Sequence, residues 1–198
     1  MTPIDLNDPI EVLLAAFEAF ERANIEAATY GGLALAVYGE PRETKDADFA
    51  MSGINAPQCE YALRAAGFEV VPAFHEMLYG GQRVSRLTLV GGTAGSLNTV
   101  DLVEARSLRY AREVLARSIT GSLRGQSIRV VSPEDFVILK ILATRPRDLE
   151  DAFVVTRSLA DRLDIQMMER ELTALAVEIS DHDIVGRWQA VQSRVDSP

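Results

Sequence analysis

Asp46 and Asp48 stand on either side of one apolar residue in the run Asp46-Ala47-Asp48-Phe49-Ala50-Met51. On an extended strand successive side chains alternate faces, so both carboxylates point one way and Ala47 points the other. Carboxylates held a few ångströms apart repel each other, and a hard divalent cation with oxygen ligands is the common remedy. The plainer reading is a pair of exposed residues on an edge strand. The apolar neighbours Phe49, Ala50 and Met51 oppose it, because they set the strand against a core where an unpaired carboxylate is costly. Ahead of the pair, Gly31 and Gly32 open a short apolar segment, Leu33 to Tyr38. Backbone N–H groups at such a start can face an anion such as a phosphate. Phosphate together with carboxylate-held metal is the chemistry of phosphoryl or nucleotidyl transfer.

Other residues can join this set. Asp101 lies in Leu97-Asn98-Thr99-Val100-Asp101-Leu102-Val103, a second apolar run that reads as a strand and could neighbour the first. Thr44 precedes Asp46 by two and shares its face if the strand extends that far. It can donate to a phosphate or orient a metal-bound water, or be an ordinary strand threonine. Arg42 would share that face and counter phosphate charge, or sit exposed in a turn. Lys140 interrupts the apolar segment Phe136 to Ala143, where a lysine either snorkels to the surface or points at an anion; composition alone favours snorkelling. Asp148 and Asp151, beside Arg145 and Arg147, are three apart at a helix start, where capping and structural ion pairs compete with chemistry.

In this ordered set the chain resembles the DNA polymerase beta-like nucleotidyltransferase superfamily, and within it the small bacterial group around AbiEii-type toxins. The residues carrying the resemblance are Gly31-Gly32-Leu33-Ala34-Leu35, Arg42-Glu43-Thr44-Lys45-Asp46-Ala47-Asp48-Phe49, and Lys140 followed by Arg145, Arg147, Asp148 and Asp151. The likeness runs from about residue 25 to 157. It implies a nucleotidyltransferase-like core with a small mixed sheet flanked by helices. It implies too that Asp101 joins Asp46 and Asp48 as catalytic metal ligands for two Mg²⁺ ions. Asp101 would also take the acceptor's proton. By the same likeness Gly31, Gly32, Arg42, Thr44, Lys140, Arg145 and Arg147 bind the nucleotide. Many relatives carry Ser where this chain has Gly32, which removes one hydroxyl contact to phosphate. The implied reaction moves a nucleoside monophosphate from an NTP to a hydroxyl on a tRNA 3′ end, a partner protein or a small molecule, as in a toxin–antitoxin component. The rival expectation is a catalytically silent nucleotide-sensing or protein-binding module on the same scaffold. Retention of all three acids argues against it.

The elements that must position these residues are legible as a pattern. Asp8, Pro9 and Glu11 mark a helix start with a capping-box-like pair, and Ile10, Leu13, Leu14, Phe17 and Phe20 recur on one helical face. Strands are expected at Ile25 to Tyr30 and Asp46 to Met51, with a helix over Leu33 to Tyr38 between them. A helix follows over Ala56 to Ala66, then strands at Phe68 to Val71, His75 to Tyr79 and Arg83 to Val90. The glycine-rich stretch 91–96 reads as a turn, since neither a following helix nor a Lys-Ser/Thr makes it a P-loop. After the Asp101 strand come a helix at Leu108 to Ala116 and a strand at Ile128 to Val131. Ser132-Pro133-Glu134-Asp135 is a helix start, and helices at Leu149 to Leu163, Ile165 to Glu178 and His182 to Arg194 close the chain. This is an α+β pattern with a helical C-terminal portion. Residues 1–131 form the expected core and 132–198 the helical part, packed together as one compact unit.

Composition bounds the rest. The 198 residues, 47% of them apolar, suffice for one core. No apolar run is long enough to span a bilayer and the first residues carry no secretory pattern, so no membrane association and a cytoplasmic location are expected. A single cysteine, Cys59, and two histidines disfavour a thiolate or imidazole metal centre. The net charge of −9 disfavours non-specific nucleic-acid binding, whose affinity comes from neutralising phosphates.

Overall fold

The computed structural model describes residues 4–91 and 96–195. Helix α1 (Pro9–Arg22) starts where the sequence marks it, with Asp8 accepting from the Ile10 and Glu11 amides at 3.1 and 3.3 Å. The capping box is only half formed: the Asp8 N–H donates to the Asp5 carbonyl at 3.0 Å, not to Glu11. Strand β1 (Ala27–Tyr30) runs directly into α2 (Gly31–Tyr38), so this helix begins at the glycine pair itself, two residues ahead of expectation. Next come β2 (Ala47–Met51), α3 (Ala56–Ala65), β3 (Glu69–Tyr79), β4 (Gln82–Gly91) and β5 (Ser96–Ala105). Then α4 (Leu108–Ala116), β6 (Ile119–Leu123) and β7 (Gln126–Val130) lead to the helices α5 (Pro133–Leu142), α6 (Pro146–Ser158), α7 (Ile165–Glu178) and α8 (Ile184–Val195).

Among the described residues seven strands form one mixed sheet in the order β3-β4-β5-β2-β1-β7-β6. The pairs β2–β5 and β1–β7 are parallel and the others antiparallel. Further expectations change. The two strands foreseen on either side of Pro72 are one, β3. Register shifts between Pro72 and Phe74 and between Phe74 and Met77 broke its alternation, and its edge position tolerates a proline. Strand β6 was not foreseen, because Ile119-Thr120-Gly121-Ser122-Leu123 is a mostly exposed edge with little apolar signal. The expected helix Leu149 to Leu163 starts earlier, at Pro146, and ends at Ser158 before a separate 3-10 turn at Ala160–Arg162. The glycine-rich turn lies, at residues 92–95, outside the described residues.

One hydrophobic cluster runs from Leu6 to Val191, taking in both the sheet and the C-terminal helices. Helix α5 is its centre. All eight residues from Asp135 to Leu142 are buried, so the helix is enclosed on every side. Its N-terminus is fixed by Ser132, whose Oγ accepts from the Asp135 amide at 3.1 Å and donates to the Asp135 carboxylate at 3.0 Å. Ser132→Ala should therefore cost about 1–2 kcal/mol in urea denaturation, the usual scale for a lost N-cap, with the slope of the transition unchanged.

Candidate active site

The parallel β2–β5 pair sets Asp48 directly beside Asp101. The same rung continues both ways, with Tyr30 opposite Asp48 on β1, Arg86 opposite Asp101 on β4, and Phe74 opposite Arg86 on β3. Neighbours on one rung point to one face, so five strands present Phe74, Arg86, Asp101, Asp48 and Tyr30 in a line about 19 Å long. Asp46 lies one residue before β2, and its Oδ1 accepts from Thr99 Oγ1 at 2.7 Å. Arg86 grips Asp101 with both ends of its fork, Nε to Oδ1 at 2.7 Å and Nη2 to Oδ2 at 2.6 Å. Asp48 makes no hydrogen bond or ion pair among the described residues. Burial, then the Asp101 and Asp46 charges, push its carboxyl up to about 7 against the opposing Lys140 and Arg145.

The glycine pair is shaped by this line. Gly31 adopts φ +64, and a Cβ there would lie 1.9 Å from Asp48 Oδ2, so a side chain is excluded on both counts. A Cβ on Gly32 would lie 2.6 Å from Thr44 Cβ and 2.8 Å from Thr44 Oγ1. The Thr44 side chain therefore occupies the space where a serine at position 32 would begin. Tyr30, at the N-cap position of α2, offers no side-chain hydrogen bond to the helix start.

Behind this face runs a chain of ion pairs centred on three buried groups, Lys140, Asp148 and Asp151. Arg42 is forked onto Asp151 at 3.0 and 2.9 Å. Lys140, only 2% exposed, places Nζ 3.0 Å from both Asp148 Oδ1 and Asp151 Oδ2. It thus neither snorkels nor faces open solvent. Asp148 also accepts from the Arg145 amide at 3.1 Å and from its guanidinium, which ties down the start of α6. Burial alone would lower the Lys140 ammonium, but the Asp148 and Asp151 charges hold it above its ordinary value. Burial raises the Asp148 carboxyl, and Lys140 with Arg145 outweighs that and keeps it low.

Two clefts meet at Asp48, Arg145 and Asp148. The polar one, about 420 Å³, is walled by Arg42, Thr44, Lys45, Asp46, Lys140 and Arg147. Within it Lys45 and Arg147 have no ion-pair partner among the described residues, which leaves both free for an incoming anion. The other, about 310 Å³, lies along the rung from Tyr30 to Phe74. The structure thus gathers every candidate from the sequence around one point. It adds Arg86, Tyr30 and Lys45, which sequence reasoning had not selected. Arg86 had a signal: counted outward from the Gly91–Ser96 rung, it and Asp101 are equally distant.

Among the described residues no three acid, histidine or cysteine side chains converge as a ready metal cluster. The reason is visible: Arg86 holds Asp101, and Thr99 holds one oxygen of Asp46. The Asp48 carboxylate and the other Asp46 oxygen have no side-chain partner among the described residues, so these are the atoms that would hold a divalent cation. Asp101 fits a shared ion only when Arg86 turns away.

A family model described as "Nucleotidyl transferase of unknown function (DUF2204)" matches residues 75–188. The chain belongs to this family. The DUF2204 match contains Arg86, Asp101, Lys140, Asp148 and Asp151, while Asp46 and Asp48 precede it. A nucleotidyltransferase from H. pylori superposes with TM-score 0.54 at 15% identity, covering 96% of this chain and 84% of its own. ANT(2″)-Ia, solved in complex with adenylyl-2″-tobramycin, gives TM-score 0.51 at 15% identity, covering 85% and 97%. TM1012 from Thermotoga maritima gives 0.50 at 18%, covering 77% and 93%. At these identities the likeness is one of fold. A search of the curated proteins finds no match. The DUF2204 chain is a nucleotidyltransferase, an enzyme whose fold is the mixed sheet and helices described above.

Lys140→Met would leave Asp148 and Asp151 buried with only Arg145 and Arg42 beside them. It should cost about 3 kcal/mol, the low end for breaking a buried pair, as measured by urea denaturation without nucleotide. An unchanged midpoint would show that the lysine contributes nothing to holding this frame.

Proposed function

We propose that the chain transfers a nucleoside monophosphate from an NTP to a hydroxyl acceptor, with Mg²⁺ held at Asp46 and Asp48. The observation that carries this reading is the Asp48–Asp101 rung beside the uncapped start of α2. The triphosphate lies in the polar cleft, where the α2 N-terminus, the Thr44 hydroxyl and the free cations of Lys45 and Arg147 meet its charge. Thr44 supplies the hydroxyl that Gly32 lacks. The frame of Arg42, Lys140 and Arg145 contains one more cation than acid and adds positive potential from behind. When bound, Mg²⁺ acts as a Lewis acid on the phosphates and offsets the charge of the acids. Asp101 accepts the proton of the acceptor hydroxyl as the acceptor's oxygen bonds to the α-phosphorus. The bond from that phosphorus to the bridging oxygen breaks, and pyrophosphate leaves.

The motif likeness supports a place near the AbiEii-type group, and with it a toxin–antitoxin role in which a tRNA end or a partner protein is modified. The net charge of −9 weighs against RNA within that set. Among the described residues no helix is long and apolar enough to cross a membrane.

The deciding experiment is label transfer from α-³²P-NTPs with Mg²⁺ to total tRNA, lysate protein or a metabolite extract. Asp46→Asn with Asp48→Asn should lower transfer on the order of a hundredfold or more, the scale for losing transition-state charge stabilisation. Equal transfer by that variant would overturn the assignment of the two acids. Thr44→Gly should raise the KM for NTP several-fold. Gly32→Ser alone should unfold more easily because its Cβ meets Thr44. Gly32→Ser combined with Thr44→Gly should regain both stability and KM, since the hydroxyl then reaches the cleft from the other residue.

A further inference from the structure

The second cleft has no part in gripping the triphosphate, yet it is built as a binding site. It opens along the same rung on the far side of Asp48 from the polar cleft, and its 310 Å³ is at the small end for small-molecule sites. Tyr30 stands in its wall, only 4% exposed, with a hydroxyl that closes no hydrogen bond among the described residues. The Gln82 side chain is its polar neighbour: the amide nitrogen donates to the Leu139 carbonyl at 2.8 Å, and the amide oxygen, the group able to accept from the hydroxyl, closes no hydrogen bond with it. A buried hydroxyl without a partner is costly unless a ligand completes it. The opposite end is aromatic: Phe74 and Tyr79 lie 6.1 Å apart at 60°, and the Arg86 guanidinium sits 5.9 Å from the Phe74 ring centre.

Of the acids lining this cleft, Asp48 alone has no ion-pair partner among the described residues. Asp101 is closed by Arg86, and Asp148 by Lys140 and Arg145. No row of free acids is left for a molecule bearing several ammonium groups. The ring wall, the cations and the one open hydroxyl suit a flat, neutral or anionic ligand instead.

Resting on the nucleotidyl-transfer reading, we infer that this cleft takes the acceptor, a compact molecule with one planar ring system and a hydroxyl that reaches Asp101, and not a polycation. The ring stacks at Phe74 and Tyr79, a polar edge satisfies Tyr30, and the hydroxyl lies between Asp101 and the α-phosphorus. A nucleoside and a phenol share this chemistry.

The test is calorimetric titration of the full chain with adenosine, 4-hydroxyphenylacetate and tobramycin. Each is run with and without Mg²⁺ and α,β-methylene-ATP, whose own binding is measured first. One of the two ring compounds should bind with the nucleotide analogue in place, and which one does identifies the source of the ring. Tyr30→Phe should weaken that compound about fivefold, the worth of one hydrogen bond, with a melting temperature no lower than that of the unaltered chain and unchanged analogue affinity. Phe74→Ala should weaken it further. Failure of both ring compounds, displacement of the ring compound by the analogue, or equal affinity for tobramycin would overturn the inference. Failure of the analogue to bind with Mg²⁺ would instead sink the nucleotidyl-transfer assignment, and the titrations without it still decide what the cleft holds.

Discussion

Asp48 and Asp101 occupy neighbouring positions on one rung of a buried parallel strand pair, about 4.8 Å apart, and the rest of the site answers that repulsion. The sheet gives neither carboxylate room to turn away. Arg86 neutralises one from the next strand, and Asp48 stays uncompensated with its carboxyl raised to about 7. A carboxylate left in that state favours whatever cation reaches it. The strain is placed at the junction of the two clefts, where a cation would stand between the two substrates. A fold that required only stability would have filled this rung with apolar side chains, as it does one residue on, where Phe49 pairs with Leu102.

The C-terminal helices supply the other half of the electrostatics. Helix α5 is buried on all sides, so Lys140 cannot reach water and must be paired internally. The acids that pair it come from α6, and their second partners, Arg42 and Arg145, come from the segments flanking the cleft. The same ion pairs therefore fix α6 against α5 and pin the Arg42 segment that carries Thr44 toward the glycine pair. Truncating one member loosens the fold and the polar cleft together. For that reason a binding role for Lys140 or Arg42 cannot be separated from a scaffolding role by activity alone.

Much of this was legible in the chain. The glycine pair, the Asp46-Ala47-Asp48 alternation and the strand around Asp101 were each visible as local patterns. So were the caps at Asp8 and Ser132. What local pattern could not supply was order across the sheet. Nothing in the sequence states that β2 inserts between β1 and β5, and that insertion makes one rung from residues 30, 48, 74, 86 and 101. Strand β3 was misread because bulges erased its alternation, and with it went the position of Phe74. Lys140 was misjudged on composition because a lone charge in an apolar segment does not reveal that two acids of α6 lie beside it. Tyr30 carried no signal at all, since an aromatic residue ending a strand is ordinarily core.

Charge links the site to what it admits. The protein as a whole is acidic, at −9, yet in the polar cleft Arg42, Lys45, Lys140, Arg145 and Arg147 outnumber the carboxylates of Glu43, Asp46, Asp48 and Asp148. Screening confines the pull of those cations to about 8–10 Å at physiological salt. A triphosphate inside the cleft lies within that distance, while a long polyanion draped over the outside meets mainly the acidic surface. This distribution supports small anionic substrates over extended nucleic acid, independently of the narrow ring-walled cleft on the other side of Asp48. The two features share no residues except those at the junction, Asp48, Arg145 and Asp148. Their agreement on a compact acceptor therefore rests on separate physical grounds, one on long-range charge and the other on shape and a single unpaired hydroxyl.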